Sequence, residues 1–240
     1  MTRRKHGLPS VPGVISAQEI AATVDAIAAV QEPDGNIPWT PGNHTDPWNL
    51  VEAAMALDVG GRHAEATHAY EWLRSMQRDD GSWHAYYVGR AVKDATLDTN
   101  VMAYVANGIW HHYLSTGDTG FLEEFFPMVE RAVDFVLDHQ NETGEIAWRA
   151  DDPGDGALLT GSSSIYASLR CAIAAAERER HQRLDHVPGV GVLTRRPRHV
   201  AVRQLHRGDG VDRARELLTA DDARDLGQLV HLDHRSTFCV

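Results

Sequence analysis

Apolar residues recur at steps of three and four through the first 178 positions, and Gly, Pro or Asp interrupts each such stretch. Ile20, Val24, Ile27 and Ala28 follow the capping-box spacing Ser16-Ala-Gln-Glu19 and predict a first helix over 17–31, ended by Glu32-Pro33. Asp46-Pro47 reads as an N-cap with Pro at the first helical position and opens a second helix that stops at Gly60-Gly61. A third helix runs from about Arg62 to Gln77. Asp98 or Thr99 caps the fourth, whose Val101, Tyr104, Val105, Gly108 and Leu114 keep the spacing to Gly117. The fifth, from about Thr119 to His139, carries Phe121, Phe125, Val129, Val133 and Val136, with Pro127 acceptable only near the first turn or as a kink. Gly161-Ser-Ser-Ser164 lacks the second Gly of a nucleophile elbow; Ser162 to Ser164 can instead cap a sixth helix that runs through Arg178. No segment has the alternation of a strand.

One phrase organises these elements. AIAAVQEPDGNIPW (Ala26 to Trp39), YEWLRSMQRDDGSW (Tyr70 to Trp83) and FVLDHQNETGEIAW (Phe135 to Trp148) each run an apolar stripe into Gln, Gly and Trp. Their Gln residues, at 31, 77 and 140, are 46 and 63 positions apart, enough for a helical hairpin and its loops. Short turns and long loops alternate between the helices, and each long loop (32–45, 78–97, 140–161) follows the phrase. Three stacked hairpins would therefore bring all three long loops to one end, where function concentrates.

Composition narrows the class. The chain has 240 residues, 42% of them apolar, which suffices for a packed core. A net charge of −11 speaks against nucleic acid, because phosphate neutralisation requires a basic face. Two cysteines, Cys171 and Cys239, give neither a disulfide framework nor metal spacing and fit a reducing compartment. With no signal-peptide or membrane-spanning apolar run, the expectation is a cytoplasmic protein, not an integral membrane one. Residues 1–15 are expected to be a disordered lead-in. From Glu179 onward the character changes: eleven Arg, no Lys, nine carboxylates, and Phe238 alone among Phe, Tyr and Trp. Residues 179–240 are thus expected not to continue the fold. The chain would then be a truncated half-toroid with an exposed apolar inner wall prone to self-association.

Gln77 to Trp83 resembles the QW-type repeat of squalene and terpenoid cyclases, and the hairpin series resembles the all-α α/α toroid that those cyclases share with protein prenyltransferases. Thr96 to Asp118 and Gly120 to Ile146 are also similar to the six-hairpin, glucoamylase-like glycosidases. The resemblance covers about 14–178 and extends to actinobacterial proteins labelled prenyltransferase. It implies first an enzyme acting on an isoprenoid, second a glycoside hydrolase using two loop carboxylates, and third a helical scaffold without catalysis. The DxDD acid motif and the prenyltransferase zinc set are both absent. Asp151-Asp152-Pro-Gly-Asp155 spells the DDxxD pattern of magnesium-diphosphate sites, but Pro153-Gly154 forces a loop where those enzymes have a helix. No cofactor is expected, and magnesium only if Asp151, Asp152 and Asp155 hold a diphosphate.

The loops supply the candidate chemistry. Asp46, Asp98, Glu145 and Asp151 are the candidate catalytic carboxylates. Trp39, His44, Trp48, Trp83, Tyr86, Tyr87 and Trp148 are the candidate substrate contacts. Paired carboxyls with ring faces suit glycoside cleavage, and aromatic faces with acids also suit a carbocation. Other readings stand beside these: Asp46 and Asp98 as N-caps, the three repeat Trp residues as clamps on helix ends, and His111-His112 as packing, with no partner at metal spacing.

Overall fold

The protein is described here by a computed structural model, which covers residues 7–152, 154, 156–185 and 212–215. The named helices are α1 (Ala17–Val30), α2 (Pro47–Val59), α3 (His63–Met76), α4 (Thr99–Thr116), α5 (Thr119–Leu137) and α6 (Leu159–Asp185), the first five close to where the apolar periodicity and the caps place them. The Ser16–Glu19 capping box is complete. Asp46, Asp98 and Asp118 each accept the backbone N–H three residues on, at 2.8, 3.1 and 3.0 Å, satisfying an otherwise unpaired first-turn amide.

Helices α2, α4 and α6 pack side by side as an inner row, with α1, α3 and α5 behind them as an outer row. This is the α/α-toroid arrangement, an all-α series of three hairpins. The core lies between the rows, where Leu50, Leu57, Tyr70, Trp72, Leu73, Met102 and Phe125 are almost fully buried. Each such side chain stabilises by roughly 1.5–3 kcal/mol through lost apolar exposure.

The repeated phrase has a common structural purpose. Gln31 Nε2 donates to the Gly35 carbonyl at 3.2 Å and to the Glu65 carbonyl of α3 at 2.9 Å. Gln77 does the same with Gly81 at 3.0 Å and with Met128 of α5 at 2.9 Å. Each glutamine thus closes its own turn and ties it to the next outer helix. Gly35 and Gly81 have φ of +95° and +90°, and a Cβ at either would overlap the carbonyl of His68 or Arg131, so glycine is required twice over.

Several expectations are corrected. A two-stranded antiparallel hairpin is present, β1 (Tyr86–Val88) with β2 (Ala91–Asp94), turned by Gly89 at φ +54°. Tyr87 also exchanges both backbone hydrogen bonds with Thr45 at 2.9 Å, so loop one holds the hairpin in place. Helix α6 begins at Leu159, and Ser162 to Ser164 lie inside it; Ser163 Oγ donates back to the Leu159 carbonyl at 2.8 Å, the bond a small hydroxyl makes within a helix. It also runs past 178, burying Glu179 and Gln182. Helix α5 continues through Pro127 as one element. Cys171 is buried in α6, and Cys239 lies outside the described residues.

Residues 11–15 form a small turn closed by Val11 and Ile15. Asp212 to Arg215 sit against the end of α5, where Arg213 donates to Asp138 at 2.9 Å and to the Leu137 carbonyl at 3.1 Å, and Ala214 is fully buried. Positions 1–6 and the rest of the expected tail lie outside the described residues. No described helix is long and apolar enough to cross a membrane.

Candidate functional site

The three long loops meet at the N-terminal ends of the inner helices. In loop one, Asp46 caps α2 through Oδ1, while its Oδ2 accepts from Trp39 Nε1 at 2.6 Å and from Asn49 Nδ2 at 2.8 Å. Trp39 is 52% exposed, and its ring packs on His44 with centroids 4.6 Å apart. His44 in turn meets Tyr86 edge-on at 4.6 Å. The β-hairpin's pairing with Thr45 brings Tyr86 to this place, so Trp39, His44, Asp46 and Tyr86 form one aromatic and acidic cluster. Beside it a shallow recess of about 300 Å³ opens, lined by Ile27, Val30, Ile37, Trp39, Asn49 and Ala53.

Asp98 repeats the arrangement one hairpin on. Its Oδ1 caps α4, and its Oδ2 accepts from Trp148 Nε1 at 2.5 Å. Loop three is drawn over the start of α4 by Thr99 N–H to the Trp148 carbonyl (3.0 Å) and Ala150 N–H to the Leu97 carbonyl (2.9 Å). Burial pushes the Asp98 carboxyl above its ordinary range, and the Val101 amide and the Trp148 indole only partly counter it.

The other candidates divide. Trp48, half-buried on the first turn of α2, stacks on Tyr104. Trp83 and Tyr87 are 0% and 1% exposed and belong to the core: the Trp83 indole donates to the Leu73 carbonyl at 2.8 Å, clamping the end of α3, and the Tyr87 hydroxyl accepts from His84 N–H at 2.8 Å. Neither reaches an open surface. Asp151 is bound by Arg149 at 2.9 Å and accepts Leu97 N–H at 3.2 Å; the guanidinium holds its carboxyl below the usual range. Glu145 is exposed on the Gln140–Gly144 turn and accepts from Thr143, which lowers its pKa. Of the DDxxD stretch, Asp151 and Asp152 stand in a loop, and Asp155 lies outside the described residues. Among the described residues, no group of three His, Cys, Asp or Glu could hold a metal ion.

Two groupings were not read from the sequence. Tyr104 and Glu52 join Trp48 across α2 and α4; the spacing of four between Trp48 and Glu52 was the available signal. At the opposite end of α2, buried Asp58 receives His63 at 2.9 Å and His112 at 3.0 Å, so His112 is a core histidine satisfied by a carboxylate.

Fold and loop end together define an α/α-toroid protein whose mouth gathers carboxylates and aromatic rings. No protein-family profile matches the chain. Over 172 residues, 71% of the chain, it is 50% identical to the MMP endo-(1,4)-3-O-methyl-alpha-D-mannosidase of Mycolicibacterium hassiacum, covering 48% of that protein. Over 126 residues, 52% of the chain, it is 27% identical to an uncharacterised glycosyl hydrolase of Methanocaldococcus jannaschii, covering 20% of it. The chain thus spans about half the length of the first relative and a fifth of the second. A crystal structure of D-mannose isomerase overlays with a TM-score of 0.47 at 15% identity, over 72% of this chain and 50% of that one. Both curated relatives carry glycosidase names, and neither supports the prenyltransferase reading.

Proposed function

We propose that the protein is a glycoside hydrolase of the toroid class, acting on an α-(1→4)-linked mannose oligosaccharide that carries 3-O-methyl groups. The observation that carries this reading is the 50% identity, over 172 residues, to a mannosidase with that named substrate. The mouth is compatible with it. Glycoside cleavage takes one carboxylic acid to protonate the leaving oxygen and one carboxylate to activate water or attack the sugar. Asp98, whose pKa burial raises, is suited to the proton-donating role, and Asp46 to the carboxylate role. Trp39 and Tyr86 offer ring surface for the C–H faces of a pyranose, and Trp39 also lines the recess beside them.

The test is product analysis by mass spectrometry after incubation with 3-O-methylated α-(1→4)-mannooligosaccharides and, separately, with farnesyl diphosphate plus magnesium. Shortened oligosaccharides from the first and no reaction of the second are expected. Turnover of the diphosphate alone would reverse the assignment.

A further inference from the structure

The exposed face of α2 carries a group that the loop carboxylates do not account for. Trp48 and Tyr104 stack with ring centroids 3.7 Å apart and planes 11° from parallel. The Tyr104 hydroxyl donates to Glu52 Oε1 at 2.5 Å. Glu52 follows Trp48 by four positions, so the two share one face of the helix. Exposure grades across the trio: Tyr104 is buried, Trp48 half-buried and Glu52 exposed. Burial, reinforced by the Glu52 carboxylate, holds the Tyr104 hydroxyl protonated, which keeps it a donor.

The consequence is a carboxylate held in one place with half its accepting capacity unused. No described residue bonds Glu52 Oε2 or the Trp48 indole N–H. An exposed carboxylate contributes little to folding, yet this one is fixed by a buried tyrosine two turns into α2, below the Asp46 cap. An oriented acceptor, a free indole donor and an apolar ring edge are the elements that recognise a pyranose: its hydroxyls donate to the carboxylate while its C–H face lies on the ring.

We propose that Trp48, Glu52 and Tyr104 form a sugar subsite on the inner wall, in which Glu52 Oε2 accepts a hydroxyl proton from a pyranose unit next to the one held at Asp46. Trp48 packs against that unit, and Tyr104 is a positioning residue that acts through Glu52. The proposal rests on the glycoside-hydrolase reading for its choice of ligand.

The experiment titrates tryptophan fluorescence with an α-(1→4)-linked mannotetraose, 3-O-methylated and unmethylated, on the wild-type chain, Glu52→Gln and Tyr104→Phe. The Tm of each variant is measured in parallel. Tetraose binding should weaken about tenfold in Glu52→Gln, the factor carried by one charge-assisted hydrogen bond. Tyr104→Phe should weaken it in the same direction by a smaller factor. A merely structural trio would lower Tm without changing Kd for the folded fraction. Should Tyr104→Phe fail to fold, the exposed Glu52→Gln decides alone. Unchanged Kd in a folded Glu52→Gln overturns the subsite, as does a wild-type chain that binds neither tetraose. Wild-type binding without hydrolysis overturns the hydrolase reading and leaves the subsite standing.

Discussion

Gln77, at the end of α3, donates its side-chain amide to the Met128 carbonyl of α5 at 2.9 Å, joining two outer helices 51 positions apart. Gln31 makes the equivalent bond to Glu65 of α3 at 2.9 Å. The register is the same in both: Glu65 stands twelve positions before Gln77, and Met128 twelve before Gln140. A repeat that reproduces its own spacing in this way is a stacking unit, each hairpin prepared to receive the next. Gln140 keeps the bond within its own turn, to Gly144 at 2.8 Å, but among the described residues it makes no bond to a further outer helix.

That difference sets an order of stabilities. Gln77→Ala removes the two bonds its amide donates and the one its Oε1 accepts from Arg131, and should cost about 1–3 kcal/mol, while Gln140→Ala removes one and should cost about a third as much. Urea denaturation of the two variants tests this, and equal losses would contradict it.

The glycines should follow the same order. Gly81→Ala meets both a positive φ and the Arg131 carbonyl, whereas Gly144→Ala meets a φ of +103° and only an ordinary contact, with the Gln140 amide at 3.9 Å. Gly144→Ala should cost only the backbone strain of about 1–3 kcal/mol, and Gly81→Ala distinctly more. Calorimetry on both proteins decides, and a milder Gly81→Ala would refute the docking account.

Asp58 should shape the acid limb of stability. Burial raises its pKa, but the imidazoles of His111, His112 and His63 outweigh that, and the net shift is below the ordinary 3.8. A carboxylate lowered in the folded state contributes stability that is full above the unfolded value and lost as pH falls through the folded one. The wild-type chain should therefore lose stability as pH drops below about 3.8, and Asp58→Asn should flatten that limb while costing about 1–3 kcal/mol at neutral pH. Chemical denaturation across that range measures it; an unchanged limb in the variant would count against the network.

Asp98 carries the opposite sign. Its raised folded pKa means that burying the charge opposes folding at neutral pH, and that this cost is relieved as pH falls through the raised value. Asparagine can keep the cap, but its NH2 cannot accept from the Trp148 indole, so Asp98→Asn should lose about 0.5–1.5 kcal/mol with that bond, and Asp98→Ala, which loses the cap as well, about 0.5–2 kcal/mol more. Both should lose glycoside turnover. Full turnover in Asp98→Asn would remove it from the chemistry.

Much of the scaffold was legible because caps and periodicity are local. Ser16, Asp46 and Asp98, read as caps, all cap helices in the structure, and Asp118, read only as part of a turn, caps another. The Tyr86–Val88 strand was missed because three residues are too few to display an alternation. Ser162 to Ser164 were read as a cap because hydroxyls favour helix starts, yet they also bond back within a helix. The repeat Trp residues show where local reading stops. One phrase sends Trp83 into the core to Leu73, but Trp39 and Trp148 to the carboxylates Asp46 and Asp98. The Trp39 and Trp83 partners lie seven and ten positions away, whereas the Trp148 bond spans fifty. The reaction class was legible only as a pair of alternatives, since carboxylates among rings suit a sugar and a carbocation equally; the relatives favour the sugar.

The central claim is that this mouth cleaves a glycosidic bond through Asp46 and Asp98. The most direct measurement is the initial rate of chain shortening of a 3-O-methylated α-(1→4)-mannooligosaccharide by the wild-type protein, Asp46→Asn and Asp98→Asn under identical conditions. The account predicts shortening by the wild-type chain and loss of at least two orders of magnitude in each variant, roughly the share that general acid or base catalysis supplies. Wild-type rates in both folded variants, or no shortening by the wild-type chain, would contradict it.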